Sequence, residues 1–342
     1  PDDAAVNSTV SLAKKSGVRG FVNGVLRRAV REKNSLPLPT RDKKPLRYLS
    51  VAYSVPQELV RRLFAVFGED TEALLSAFNN RRGITLSVNT LKISRDEYLK
   101  LLSEAGIFAE KSELSSISVR LDKSYNPRSL PGFSEGLFFV QDEASAAAVE
   151  ALGATQGVLV DVCAAPGGKS YAANILSGGR ISSYSFDVSE SKLPLISDGA
   201  ERLSLKSLTV DVNDALSPKQ ELLGGADFVI CDAPCSGFGV LSKKPDIRYK
   251  ELDALDNLPS LQYEILSNSS RYLKSGGFMI YSTCTLMPEE NESVVEKFIS
   301  ENDDFETVDF NVGGNTSHNG KFTFLPHVHK TDGFFVAKLR KK

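Results

Sequence analysis

The chain has 342 residues, 41% of them hydrophobic and 25% charged, with a formal net charge of −2. That composition suits a globular protein with roughly two or three cores and excludes a disordered, collagen-like or uniformly basic chain. No run of about 18 apolar residues is present, so no membrane-spanning helix is expected, and no signal peptide is visible. The cysteines, Cys163, Cys231, Cys235 and Cys284, are too few for a disulfide framework and read as reduced thiols in a cytoplasmic protein. Without a net positive charge, any polyanion must meet a local basic patch.

In residues 1–33, Val18, Phe21, Val22, Val25, Leu26 and Val30 recur at helical spacing. Arg19, Arg27, Arg28, Arg31 and Lys33 fall between them and read as a solvated face before they read as an RNA contact. Two helices make no core of their own, so this stretch is expected to be the end of a helical domain. Residues 34–46 hold Pro37, Pro39 and Pro45 and read as a linker. Residues 54–79 predict a helix with Pro56 in its first turn and Leu59, Val60, Leu63, Phe64, Val66 and Phe67 on its apolar face. A strand over 85–89, a helix over 95–105 and a strand over 117–121 predict a small α+β module spanning 47–135. Gly132 and Gly136 mark its end. Phe138-Phe139-Val140 is a short apolar run, and Asp142 can cap a helix reaching Leu152.

Beyond residue 157 the pattern alternates. Strands are expected over 158–163, 181–187, 207–210, 227–232, 277–284, 305–310 and 333–341, and helices over 169–177, 190–203, 260–274 and 289–301. The prediction is an α/β fold with a mostly parallel, doubly wound, seven-stranded sheet occupying residues 136–342. Ligands of such sheets sit at the carboxyl ends of the strands.

The first of these strands ends in Cys163-Ala164-Ala165-Pro166-Gly167-Gly168-Lys169-Ser170, a tight turn into a helix start. Helix N-termini offer unpaired N–H groups to a ligand. The turn nearly matches a phosphate loop, and Phe228 to Asp232 resembles the magnesium-holding strand of NTPases, so an NTPase is a genuine alternative. Against it, Cys163 replaces the first glycine and Pro166 removes a backbone donor. A nucleoside cofactor without a polyphosphate suits the same turn. Asp187, ending the second strand, can accept both ribose hydroxyls; Asp211 ends the third and can reach the adenine side; Asp232 ends the fourth. Any one of them alone would read as a cap.

Cys235 and Cys284 each stand at or just past a strand end, on strands expected to be neighbours. They read either as small buried hydrophobes or as cleft thiols, one of them a nucleophile. Cys231 and Cys235 could form half of a zinc site, but no second pair completes it. His318, His327 and His329 read as surface or loop residues, with His327 and His329 able to share a strand face; no metal is expected.

Asp161 to Lys169, Asp232 to Gly237 (DAPCSG) and Ser282 to Thr285 (STCT) resemble the RNA cytosine-C5 methyltransferase family, in particular its bacterial small-subunit (16S) rRNA branch of Sun/RsmB type. Pro288-Glu289-Glu290-Asn291 and Pro245 to Arg248 extend the likeness. Phe21 to Arg28 resembles the end of a NusB-like RNA-binding domain, and Thr331 to Leu339 resembles the family's last strand. The resemblance implies a Rossmann-like class I methyltransferase domain over 136–342, a small RNA-binding module over 47–135 and a NusB-like remnant over 1–33. It implies S-adenosyl-L-methionine on Cys163, Ala164, Ala165, Pro166, Gly167, Gly168 and Lys169, with Asp187 on the ribose, Asp211 near the adenine and Asp232 between cofactor and base. Cys284 would be the nucleophile and Cys235 would assist release of the product. The implied partner is RNA, 16S rRNA or a small-subunit assembly intermediate, and a monomer is expected. Thr285 departs from the family's usual Ser. Lys243, Lys244, Arg248 and Lys250, together with Arg81 and Arg82, are candidate phosphate contacts. Besides the NTPase, a non-catalytic RNA-binding protein that keeps the fold is a further alternative.

Overall fold

The computed structural model describes residues 2–35, 39–80, 83–252 and 255–342. It has two compact units, Pro1–Gln57 and Glu58–Lys342. In the first, α1 (Asp2–Leu12) and α2 (Ser16–Glu32) pair, helped by Lys33 Nζ 2.7 Å from Asp2. Phe21 and Val25 on the apolar stripe are exposed. The arginines between them find helical partners, Arg27 donating to Asn23 and Arg28 to Glu32. The expected linker ends early: Pro45 opens α3 (Pro45–Tyr53), where a missing N–H and a fixed φ cost nothing.

The second unit begins with α4 (Gln57–Phe67) and α5 (Thr71–Asn79), which replace the single helix expected over 54–79. Gly68, at φ 52°, breaks the run. Next come β1 (Thr85–Val88), α6 (Arg95–Glu104), β2 (Ala109–Lys111), β3 (Ser118–Leu121) and β4 (Phe138–Val140), giving an antiparallel sheet of order β2-β3-β1-β4. Ser94 and Glu97 form a reciprocal capping box on α6, and Tyr98, Leu102, Val119 and Phe138 bury the sheet's inner face. The edge expected at residue 135 therefore moves: the apolar run 138–140 completes the small sheet. Gly136 is held in place. Asn89 Nδ2 donates to Gly136 O and Leu203 O, at 3.0 and 2.9 Å, and a Cβ on Gly136 would lie 2.0 Å from Arg202 O.

The large sheet is built from β5 (Gly157–Asp161), β6 (Ile181–Asp187), β7 (Leu208–Val212), β8 (Ala226–Asp232), β9 (Leu273–Thr283), β10 (Phe305–Thr307), β13 (Lys321–Phe324) and β14 (Phe334–Lys341). A hairpin, β11 (Asn311–Val312) and β12 (Asn315–Thr316), stands apart. The order is β10-β14-β9-β8-β5-β6-β7, with β13 also on β14. Pairs from β7 to β9 are parallel; β14, β10 and β13 are antiparallel additions. The helices are α7 (Glu143–Leu152), α8 (Gly168–Leu176), α9 (Leu193–Leu203), α10 (Leu258–Ser270), α11 (Glu292–Glu301) and a short α12 (Pro326–His329). Alternate strand residues bury on opposite faces, Leu159, Ile230 and Ile280 against α7 and α8, and Val160, Val229 and Met279 on the α10 and α11 side. Burial on both faces is why these strands read as continuous apolar runs. Asp142 caps α7 by accepting from Ala144 N at 3.0 Å.

Candidate active site

The chain leaves β5 at Asp161, turns through Cys163 to Gly167 and enters α8 at Gly168. The turn is braced from below: Ser170 donates to the buried Asp161 carboxyl at 2.6 Å, and Ser185 donates to Ser170 at 2.7 Å. Burial pushes Asp161 up to about 7. Gly167 has φ 108°, and a Cβ there would lie 2.3 Å from the Tyr171 ring. Tyr171 cannot give way easily, since its hydroxyl is 2.8 Å from Ile196 O and 3.1 Å from Pro166 O. Gly167→Ala combines a left-handed backbone, costing about 1–3 kcal/mol, with that collision. The expected result is a lower melting temperature by scanning calorimetry; an unchanged one would contradict it.

Asp187, at the end of β6, is buried and accepts Ala165 N at 3.3 Å and Ser189 N at 2.9 Å, so it ties the turn to the next strand. Asp232, ending β8, accepts Lys169 Nζ at 2.6 Å and Ser282 Oγ at 2.7 Å. Lys169 also lies 5.1 Å from the centre of the Phe334 ring. The lysine of the phosphate-loop reading is thus committed to a carboxylate. Asp211, in β7, is half exposed and engaged by Lys219 and by Val212 N, which hold its carboxyl below the usual range. From that edge the cleft wall takes Asp214, Ala215 and Leu216.

The parallel pairing of β8 and β9 places Asp232 opposite Ser282, so the loops that follow them run side by side. Cys235 and Cys284 meet there with their sulfurs 3.2 Å apart, both half-buried. Gly239 N donates to Cys284 O at 2.9 Å, and Gly333 N donates to Gly239 O at 2.8 Å. A Cβ on Gly239 would stand 2.0 Å from Gly333 O, so only glycine admits this stack. Cys163, Ala165, Asp187, Asp232, Cys235 and Cys284 share one cleft of about 360 Å³, in the range of small-ligand pockets. Its volume and its buried acceptor, Asp187, fit a nucleoside.

The Cys235 thiol hydrogen-bonds to the Cys284 sulfur and draws the Cys284 pKa below the ordinary thiol range, aided by Lys169 and Lys244 and opposed by burial and Asp232. The same hydrogen bond, together with burial, pushes Cys235 up. Burial also pushes up Cys163 and Cys231. A depressed pKa leaves Cys284 with a larger thiolate fraction than Cys235 as pH falls. Iodoacetamide is therefore expected to modify Cys284 first, with a selectivity that widens as pH drops through the ordinary thiol pKa of about 8.5; peptide mass mapping that found Cys235 modified equally fast would contradict this.

Several expectations change. Cys231, in β8, is buried in the core on the α10 and α11 side. Among the described residues no three His, Cys, Asp or Glu groups could hold a metal ion. His327 and His329 sit on the turn of α12 and share no strand face; His329 accepts Leu325 N at 2.8 Å. The row from 243 to 250 is mostly internal: Lys243 bridges Asp142 and Asp332 at 2.8 and 2.7 Å, the buried Arg248 donates to Asn79, and Lys250 donates to Ser236 O. Lys244 of that set has no such tether among the described residues, and it stays exposed near Cys284. Arg81 and Arg82 lie outside the described residues. Ser236, Gln262 and the buried Glu290, which surround the thiol loops, were not singled out by spacing, although Glu290 lies in the Pro288–Asn291 likeness.

Comparison with known proteins agrees with this architecture. A family described as 16S rRNA methyltransferase RsmB/F matches residues 152–340, and an RsmF/B-like ferredoxin-like domain matches 55–127. All of the chain aligns with a probable ribosomal RNA small subunit methyltransferase B of Bacillus subtilis, at 35% identity over 79% of that protein. It aligns likewise with ribosomal RNA small subunit methyltransferase B of Serratia proteamaculans, at 34% identity over 78%. Among solved structures, PH0851 is similar at 31% identity and a TM-score of 0.83, covering 95% of this chain and 74% of that one. A methyltransferase homolog from Pyrococcus horikoshii is similar at 28% identity and a TM-score of 0.75, covering 86% of this chain and 98% of that one. With the catalytic-domain match spanning more than half the chain and the relatives aligned along all of it, the protein is a member of the RsmB/F family of 16S rRNA methyltransferases.

Proposed function

We propose that the chain methylates C5 of a cytosine in 16S rRNA, using S-adenosyl-L-methionine and a covalent bond from Cys284 to C6 of the base. The observation that carries this reading is the pair of sulfurs, 3.2 Å apart, in the same cleft as Cys163, Ala165 and Asp187. Cytosine C5 is a weak nucleophile. Attack of the Cys284 thiolate on C6 pushes the ring electrons toward C5. Asp232, held by Lys169 and Ser282, would share a proton with N3 of the ring and so neutralise the negative charge that develops there as C6 is attacked. Cys163 to Lys169 and Asp187 would hold the cofactor, with Asp211 toward the adenine. When bound, the cofactor supplies an electrophilic methyl group for C5.

The sulfur pair also suits the return half of the reaction. While Cys284 is a thiolate it accepts the hydrogen bond that keeps Cys235 protonated. Once Cys284 is bonded to carbon, that acceptor charge is gone. Cys235 can then give its proton to solvent and, as a thiolate, take the proton from C5; the electrons of the C5–H bond re-form the ring double bond and Cys284 leaves as a thiolate. The base must leave its stack to reach the cleft. The small α+β module and the helical unit are assigned to RNA, either free 16S rRNA or an assembly intermediate, with the protein acting as a monomer.

Calorimetry with S-adenosylhomocysteine and with ATP tests the cofactor assignment. Binding of the first and not the second is expected; the reverse would restore the NTPase reading.

A further inference from the structure

A buried carboxylate stands behind both thiols. Glu290 closes the turn Pro288–Glu290 after β9, is only 3% exposed and does not line the cleft. Its Oε2 accepts Ser236 N at 2.8 Å and Gln262 Nε2 at 3.0 Å; its Oε1 accepts Ser236 Oγ at 2.5 Å and Thr285 Oγ1 at 3.2 Å. Ser236 follows Cys235 in the chain, and Thr285 follows Cys284. The two hydroxyl oxygens are themselves 2.7 Å apart. Gln262 passes a second hydrogen bond to Pro234 O at 2.9 Å, so the residues on both sides of Cys235 depend on one carboxylate.

The carboxylate is anchored in turn. Tyr281 OH donates to Glu290 O at 2.6 Å. The buried Asn291 accepts Thr283 Oγ1 at 2.5 Å and donates to Thr285 O at 3.1 Å, fixing the residues on both sides of Cys284. A carboxylate removed from water is tolerated only where donors replace its hydration, and a network of this kind holds its members in a single arrangement. Both cysteine loops are members of this one.

We propose that Glu290 is the positioning residue of the dithiol: by bonding the residues that follow Cys235 and Cys284, it sets the separation of the two sulfurs without touching RNA or cofactor. The proposal rests on the division of labour between the thiols given above. An S–H···S hydrogen bond needs close approach, so a small spread of the loops removes the interaction that lowers the Cys284 pKa. Glu290→Gln keeps the volume but turns one acceptor oxygen into a donor that faces existing donors. It thereby loosens one loop from the other.

The test uses the full chain and three readouts. The first is the pH profile of Cys284 alkylation by iodoacetamide, which requires neither RNA nor cofactor. The second is S-adenosylhomocysteine affinity, and the third is turnover on 16S rRNA. Glu290→Gln is expected to move the Cys284 profile to higher pH, by about one unit for each tenfold loss of reaction at neutral pH. It should lower kcat by about 30-fold or more while cofactor affinity and the KM for RNA stay within about threefold. Glu290→Asp should recover part of both. A folded Glu290→Gln protein with an unchanged Cys284 profile overturns the proposal. If that variant does not fold, the milder pair Ser236→Ala with Thr285→Val decides: a shifted profile supports the role and an unshifted one removes it. Should the wild-type protein form no 5-methylcytosine, the proposed function fails, while the alkylation profile still judges Glu290 by itself.

Discussion

Cys284→Ala is expected to bind S-adenosylhomocysteine as the wild type does and to transfer no methyl group, a loss on the order of 10⁴-fold or more in kcat. The size of the effect follows from the substrate. Without a thiolate at C6 the ring has no electron density to place on C5, and neither Asp232 nor the cofactor site can compensate for a missing covalent step. The binding prediction follows from the geometry. The glycine turn and Asp187 rest on Tyr171, Ala165 and Ser189, none of which needs the Cys284 sulfur. A variant that methylated at even a hundredth of the wild-type rate would move the nucleophile elsewhere, and Cys235 would be the first candidate. Cys284→Ser tests the same point through nucleophilicity, since a hydroxyl of similar size ionises far less readily than a thiol.

Cys235→Ala should fail later in the cycle. The protein is expected to form the C6 bond and methylate the base, and then to stall as a covalent complex with RNA. Multiple turnover should fall by roughly 10²–10⁴-fold, the range for loss of a general acid–base group. Denaturing gels should show a protein–RNA band that survives heating, with the mass of the added nucleotide on the Cys284 peptide. In the structure Cys235 is the only thiol within hydrogen-bond reach of the Cys284 sulfur among the described residues. Cys163 lines the same cleft but packs against the core, and Cys231 is sealed within it. Full turnover with no trapped complex would show that the C5 proton leaves by another route. Cys235→Ala also removes the hydrogen bond that lowers the Cys284 pKa, so adduct formation itself should slow at neutral pH.

Much of this site could be read from the order of residues because its chemistry stands at strand ends. A buried parallel strand is a short apolar run, and whatever follows it sits at one rim of the sheet. Thus Asp187 and Asp232 at the ends of their strands, and Cys235 and Cys284 just beyond, could be gathered without knowing any side-chain position. What stayed hidden depended on partners far away in the chain. Lys243 and Arg248 looked like a cationic row, yet their partners Asp332 and Asn79 are 89 and 169 residues distant. The strand Phe138–Val140 is three residues long, too short to show alternation, and its partner β1 lies across the whole small module. Pro45 read as a linker residue because proline suits both a linker and a first helical turn; only packing distinguishes them. Glu290 looked like one of two adjacent acids, and nothing local reveals that Glu289 is exposed while Glu290 is buried among donors.

The same contrast bears on RNA recognition. Lys243 and Lys250 serve the protein's own loops, so affinity for RNA must draw on surfaces beyond the 243–250 segment, with Lys244 its one exposed cation that has no such partner among the described residues. Neutralising Lys244 is accordingly a milder change than either thiol substitution.

The most direct measurement of the central claim is nucleoside mass spectrometry of 16S rRNA after incubation with the protein and S-adenosylmethionine carrying a labelled methyl group. The label is expected on C5 of a cytosine with the wild-type protein and on no nucleoside with Cys284→Ala. Label on another atom or another base, or undiminished C5 label with Cys284→Ala, would contradict it.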